Sequence, residues 1–258
     1  MSIDVEHFDL SNRKAAVIGA ETPAGGAVAR AYGEAGADVT ICVPEEDAAA
    51  SALRRDIEAV GARCEVYAVD VSGTGGAGEA VQHAASVLGG LDILASCPDL
   101  FLAKPIAETT DAELERVMTT NFGVQFAAIR AAASEMRKTD GGGNIVLLTH
   151  VLGERGLPNT SAYGAAHAAT QNLVRSLAQE FGPEGISINA IALGWMDWMS
   201  DRIHSQDEEA ARAVRFTILK RAGRRDEVGP MAVWLSGSGV GYVTGQILPL
   251  DGGLTQHL

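Results

Sequence analysis

The sequence predicts one α/β domain spanning residues 1–258, built on a doubly wound parallel sheet of seven strands. Short apolar runs alternate along the chain with longer segments whose apolar residues recur at helical spacing. The runs are continuously apolar, as in strands of a parallel sheet that helices cover on both faces. Hydrophobic residues make up 47% of the chain, enough for a core of that size, and no repeat or linker divides it.

Each predicted element follows from that alternation. Strands are predicted at residues 15–18, 39–43, 66–69, 91–94, 145–148, 186–191 and 247–250. Helices are predicted at residues 27–35, 48–60, 78–88, 112–137, 162–181 and 226–235. Thr110 and Glu113 have the spacing of a capping box, which predicts a helix start there.

Charge and cysteine content exclude several classes of function. The formal net charge is −13 and no basic run stands out, which argues against nucleic acid and anionic membranes as partners. The N-terminal residues are polar and acidic, and no apolar run reaches membrane-spanning length. Cys42, Cys64 and Cys97 are odd in number and lack metal-ligand spacing. We therefore expect a soluble cytoplasmic protein with reduced cysteines and no metal.

A glycine-rich turn, residues 19–26, follows the first predicted strand and leads into a helix. Glycines in this position let backbone N–H groups and the helix N-terminus approach a pyrophosphate. Turns of this composition also occur for packing alone, so the strand–turn–helix context carries much of the prediction.

Motifs along essentially the whole chain resemble those of the short-chain dehydrogenase/reductase family. Gly19 and Gly25 match the first and last glycines of its cofactor turn, and Tyr163 stands where the family has the tyrosine of Tyr-x-x-x-Lys. The family's other landmarks align with Asp70-Val71, Asn121, Asn189-Ala190-Ile191, Arg221-Ala222-Gly223, Tyr242 to Gln246 and Asp251-Gly252-Gly253. The resemblance implies a Rossmann fold, a nicotinamide cofactor, a small-molecule substrate, and a homodimer or homotetramer.

The resemblance also implies roles for individual residues. Gly19 and Gly25 would border the cofactor phosphates, and Asp70 and Val71 would touch the adenine. Tyr163 would transfer a proton to or from the substrate oxygen. Asn121 would organise a water of the proton relay.

Several residues depart from the family pattern. Pro23 replaces the middle glycine of the turn and has no N–H to donate. His150 stands in place of the catalytic serine, and His167 in place of the lysine. Asp99 ends the altered strand-four motif, Ser96 to Asp99, where its charge could repel phosphates. These positions should surround one pocket, in which His150 could hold a substrate oxygen and a protonated His167 could lower the pKa of Tyr163.

The sequence favours NAD(H) over NADP(H), if either binds. Glu45 and Glu46 follow the second strand and would oppose a 2′-phosphate. Pro23 and Asp99 weaken the case for any dinucleotide. Trp195 and Trp198 lie in a predicted substrate loop at about residues 194–220, which suits a small, partly apolar substrate or ordinary packing.

Three hypotheses stay open at this point. The first is an NAD-linked oxidoreductase of an alcohol or carbonyl, with an atypical centre of Tyr163, His150 and His167. The second is a cofactor-independent acid–base enzyme on the same fold, such as a lyase, dehalogenase, dehydratase or isomerase. The third is a catalytically silent subunit, since fold alone does not determine function.

Overall fold

The computed structural model describes residues 5–71, 74–139, 141–202 and 214–256. Its strands are β1 (Lys14–Ile18), β2 (Asp38–Val43), β3 (Cys64–Ala68), β4 (Ile93–Ser96), β5 (Gly143–His150), β6 (Ile186–Leu193) and β7 (Ile247–Leu250). Its α-helices include α1 (Pro23–Glu34), α2 (Ala48–Ala59), α3 (Thr74–Leu88), α4 (Asp111–Met118), α5 (Val124–Met136), α6 (Ser161–Phe181) and α7 (Val228–Ser236).

The seven strands form one parallel sheet in the order β3-β2-β1-β4-β5-β6-β7. The chain runs outward from β1 to β3 and returns to the other side of β1 at β4. In sheets of this kind the crevice beyond the carboxyl ends of the strands at that reversal is the usual ligand site. The predicted doubly wound parallel sheet is confirmed.

Alternate residues of each inner strand face opposite helical layers. In β1, Ala15 and Val17 pack with α1, α2 and α7, whereas Ala16 and Ile18 pack with α3, α5 and α6. All four side chains are fully buried. Because both faces are covered, the strands are continuously apolar, and the polar residues at their carboxyl ends are left to form the site.

Several predicted boundaries were wrong. β4 begins two residues later than predicted, because Asp92 lies in the turn before it and its carboxylate accepts from the Lys14 N–H at 2.9 Å. α1 begins at Pro23, four residues earlier than predicted. The capping box of Thr110 and Glu113 is confirmed at the start of α4.

The helix predicted over residues 112–137 is divided by a π-helical turn, Thr119–Gly123, between α4 and α5. A π turn adds a residue without ending the helix, so the apolar periodicity does not reveal it. Within the described part of the chain, no helix is both long and apolar enough to cross a membrane.

Candidate active site

The glycine turn ends in a capped helix start. The Thr22 hydroxyl accepts from the Gly25 N–H at 3.0 Å and donates to the Gly19 carbonyl at 2.8 Å. Pro23 follows as the first helical residue, where a missing N–H is tolerated and the fixed φ suits the helix. Pro23 therefore starts α1, a role that the sequence analysis missed. As a result, residue 23 has no N–H to donate to a ligand, and the Gly25 N–H is already bonded to Thr22.

Close packing explains both matching glycines without a ligand. Gly19 has a φ of +77°, and a Cβ on it would lie 2.8 Å from the Cys97 carbonyl carbon. A Cβ on Gly25 would lie 2.1 Å from the Gly19 oxygen. The fold itself requires glycine at both positions, so their role in cofactor binding stays a prediction.

The ends of β2 and β3 border the same edge of the sheet. Asp70 is exposed and Val71 is buried just after β3. Glu45 and Glu46 are exposed after β2. The roles predicted for Asp70 and Val71 at an adenine are untested.

The three residues predicted to form an atypical centre lie side by side. His150 ends β5, and Tyr163 and His167 lie one turn apart on α6. The ring centroids of Tyr163 and His167 are 4.3 Å apart, those of His150 and Tyr163 5.5 Å, and those of His150 and His167 6.0 Å. All three are buried. The geometry groups them as predicted, and their chemical roles stay predictions.

Tyr163 is hydrogen-bonded to a carboxylate that the sequence analysis considered only as a neighbour of phosphates. Its hydroxyl donates to Asp99 Oδ1 at 2.9 Å. Asp99 lies in the loop after β4, and the Phe101 ring of the same loop meets the Tyr163 ring edge-on at 5.1 Å. No sequence signal indicated this pair, since it depends on how the loop after β4 crosses the start of α6.

The backbone fixes the tautomer of His150. The Leu152 N–H donates to His150 Nδ1 at 3.1 Å, so this nitrogen carries no proton. The neutral ring then carries its proton on Nε2, and His150 is one of the residues that line the pocket. The Gln171 amide donates to the His150 carbonyl at 2.9 Å and holds the end of β5 in place.

His167 is tied to β5 through Thr149. His167 Nδ1 lies 3.1 Å from the Thr149 hydroxyl. This hydrogen bond fixes the ring beside Tyr163, at the position where the family's lysine stands. No third ligand completes a metal site with His150 and His167 among the residues that the structure describes.

Asn121 lies in the π turn and does not reach the Tyr163 hydroxyl in the described contacts. Its side chain accepts from the Leu100 N–H and donates to the Leu100 carbonyl, both at 2.9 Å. Its own carbonyl accepts from Gln125 Nε2 and Thr170 Oγ1, both at 3.1 Å. Asn121 thus anchors the loop that carries Asp99. Nothing in the sequence indicated that the side chains of Gln125 and Thr170 would donate to the Asn121 carbonyl.

The pocket around Tyr163 is nearly filled. Its cavity volume is about 20 Å³, enough for roughly one water molecule. Trp198 and Met199, both buried in the short 3₁₀ helix Asp197–Arg202, form part of its wall. The remaining lining residues are Thr22, Pro23, Ala24, Cys97, Pro98, Asp99, Leu148, Thr149, His150, Tyr163, His167 and Leu193. The predicted substrate loop continues into residues 203–213, which lie outside the described part of the chain.

The described lining of the pocket contains no lysine or arginine that could pair with an anionic ligand. Glu21 lies in the glycine turn, and desolvation raises the pKa of its carboxyl even though the side chain reaches solvent. Burial, and then the charge of Glu21, raise the pKa of the Cys97 thiol, which therefore stays protonated. The site is acidic to neutral.

Comparisons with known proteins agree with this architecture. The family model described as enoyl-(acyl carrier protein) reductase matches residues 19–255. Nodulation protein G of Azospirillum brasilense is 30% identical over 247 residues, covering 95% of this chain and 99% of that protein.

Solved structures are similar over nearly the full length. A dehydrogenase/reductase from Sinorhizobium meliloti 1021 has a TM-score of 0.89 and 30% identity, covering 97% of this chain and 98% of that one. A blue fluorescent protein from a metagenomic library, solved in complex with NADPH, has a TM-score of 0.87 and 31% identity, covering 95% and 99%. The chain belongs to the short-chain dehydrogenase/reductase superfamily, whose members among these relatives include reductases and dehydrogenases.

The two ends of the predicted dinucleotide site differ in their exposure to solvent. At the predicted adenosine end, the side chains of Asp70, Glu45 and Glu46 are exposed. The nicotinamide half would need the pocket at Tyr163, which admits about one water while Trp198 and Met199 lie as they do.

Proposed function

We propose that this chain is an NAD-linked oxidoreductase of the hydroxyl or carbonyl group of a small, partly apolar substrate. The observation that carries the proposal is the buried grouping of Tyr163 with His150 at the carboxyl ends of the sheet strands. A phenol and an imidazole N–H in one pocket form a two-group site for a substrate oxygen.

The two side chains have different tasks in this proposal. His150 holds the substrate oxygen with its Nε2–H, because Nδ1 is already bound to the Leu152 N–H. Tyr163 transfers the proton to or from that oxygen, a contribution of typically about 10²–10⁴-fold to rate. His167 holds Tyr163 in place through their edge-to-face contact and its hydrogen bond to Thr149.

When bound, the nicotinamide cofactor supplies or accepts the hydride. Gly19, Gly25, Asp70 and Val71 are the residues that would hold its adenosine and phosphate half. The acidic residues after β2, with no lysine or arginine between residues 43 and 50, favour NAD(H) over NADP(H). Trp198 and Met199 must leave the pocket before the other half enters.

A titration of the purified chain with NADH and NADPH, followed by calorimetry and nicotinamide fluorescence, tests this proposal. We expect NADH to bind more tightly than NADPH, and Trp198→Ala to bind NADH more tightly than the unmodified chain. Trp234→Ala on α7, which removes an equally large ring away from the pocket, is the control. If neither cofactor binds to the chain or to Trp198→Ala, the NAD-linked function is wrong.

One observation favours a second function, cofactor-independent acid–base chemistry. The pocket keeps its proton-transfer groups, whereas its small volume and the absence of lysine and arginine among its described lining residues disfavour a dinucleotide. Turnover of a hydroxyl- or carbonyl-bearing substrate with no added nucleotide, abolished by Tyr163→Phe, would favour this second function. Turnover that requires NAD(H) would favour the first.

A further inference from the structure

The loop after β4 places one carboxylate against the tyrosine of the pocket. Asp99 Oδ1 lies 2.9 Å from the Tyr163 hydroxyl, within the range of an O–H···O hydrogen bond. The family resemblance assigns no task to an acidic residue here. A role for Asp99 in catalysis rests on the proposed function, because it concerns the same pocket.

The backbone holds Asp99 in this position. Asn121 pairs with both the N–H and the carbonyl of Leu100, the next residue along the chain. Phe101 packs its ring on Tyr163 from the same loop. These contacts hold the backbone that follows Asp99, and the Tyr163 hydroxyl bonds to its carboxylate.

Several other titratable groups lie near Tyr163. His150 Nδ1 accepts from the Leu152 N–H, and His167 Nδ1 is bonded to Thr149. Cys97, on the β4 side of the pocket, is a buried thiol, and Glu21 lies beyond it in the glycine turn. Among the lining residues in the described ranges, Asp99 is the carboxylate.

We propose that Asp99 is the proton acceptor for Tyr163, so that the two act as a relay. As the substrate O–H bond breaks, its proton passes to Tyr163 Oη, and the Tyr163 hydroxyl proton passes to Asp99 Oδ1. The products of this step are a substrate alkoxide, held by His150 Nε2–H, a neutral tyrosine and a neutral carboxylic acid. The same path in reverse protonates a substrate alkoxide. Asp99 acts through Tyr163 and is a positioning residue for the proton.

The relay changes which group must ionise for activity. In a tyrosine–lysine site the tyrosinate is the base, whereas here the base is a carboxylate and the phenol stays protonated between transfers. Oxidation of an alcohol should therefore require the charged form of the Asp99 carboxylate. A carboxylate at this distance also opposes a tyrosinate, because like charges a few ångströms apart disfavour joint ionisation.

Two measurements on Asp99→Asn test the relay. The first follows tyrosinate absorbance against pH, with the Tyr163→Phe trace subtracted to isolate Tyr163. We expect Tyr163 in Asp99→Asn to ionise at a pH about one unit or more below its value in the unmodified chain, because the neutral amide no longer opposes the phenolate. Asp111→Asn, at an exposed site in the first turn of α4, is the matched control. Asp99→Ala replaces Asp99→Asn if the amide variant does not fold, with the same expected direction.

The second measurement is the pH profile of kcat/KM for alcohol oxidation. We expect Asp99→Asn to lower kcat/KM by roughly 10²-fold or more and to remove the acid limb. An unchanged tyrosine titration, or an acid limb that survives in Asp99→Asn, overturns the relay. A shifted titration in a chain that turns over no alcohol supports the Asp99–Tyr163 pair and counts against the proposed function instead.

Discussion

The two halves of the sheet's carboxyl edge depart from the family pattern in different ways. At β1 to β3 the backbone carries the pattern, through Gly19 and Gly25. At β4 to β6 the side chains have been exchanged, with Asp99, His150 and His167 in place of the family's residues. The first half is constrained by packing, since a Cβ on either glycine would collide with backbone atoms.

This difference shows what a retained motif means. A glycine that the fold needs persists whether or not a dinucleotide binds, so Gly19 and Gly25 are weak evidence for a cofactor. Residues such as His150, whose side chain lines a cavity, are not held by packing to the same degree. The exchanged half is therefore the more informative about chemistry.

The largest expected effect tests the exchanged half. Tyr163→Phe should lower kcat/KM by roughly 10²–10⁴-fold, because it removes the proton-transfer group. Tyr242→Phe, at a fully exposed tyrosine, should leave steady-state activity unchanged. Equal activity of Tyr163→Phe and the unmodified chain would mean that the pocket has no acid–base function.

The next-largest effect tests the half at β1 to β3, where packing constrains the two glycines. Gly25→Ala should lower the free energy of unfolding by about 1–3 kcal/mol, because its Cβ meets the Gly19 oxygen. Gly78→Ala in α3, where no atom lies within 4 Å of the added Cβ, should raise that free energy by up to about 1 kcal/mol. Both are measured by urea unfolding. If Gly25→Ala left the free energy of unfolding unchanged, packing would not explain the glycine at this position of the turn.

The smallest effect concerns the acid sensitivity of α4, the helix that begins at the Thr110–Glu113 capping box. The backbone N–H of Thr110, and then Lys104, lower the pKa of Glu113 from its ordinary 4.5 to about 2. A lowered folded-state pKa contributes stability above pH 4.5, and that stability is lost as the pH falls from 4.5 towards 2.

We expect hydrogen exchange in α4 to speed up across this window before exchange in α1 does. Glu113→Gln should weaken that pH dependence, and Glu108→Gln, at an exposed site before the helix, should not. Equal acid sensitivity of α4 in both variants would show that the capping box does not control it.

The sequence predicted the fold almost completely, because continuous apolar strands and periodic helices are local patterns. All seven strands were found, β7 with the same bounds, and the capping box at Thr110 was predicted as observed. The π turn at Asn121 was missed, since it leaves the helical periodicity nearly intact.

The site was predictable as a set of positions but not as a set of bonds. Tyr163, His150 and His167 could be placed together because the family resemblance aligns them with one catalytic set, and helical spacing puts His167 one turn after Tyr163. The hydrogen bonds of Asp99 to Tyr163 and of Leu152 to His150 could not, because each depends on the path of a loop. The filling of the pocket by Trp198 and Met199 was equally hidden, since their burial depends on how the chain turns after β6.

The clamp of Asn121 on Leu100 also makes position 99 a natural target for redesign. Because the Asn121 side chain bonds to both polar groups of the Leu100 backbone, we expect the loop to keep its course when residue 99 is substituted. A small library at this single position, screened for new substrates, would vary the chemistry of the pocket while the scaffold around it stays the same.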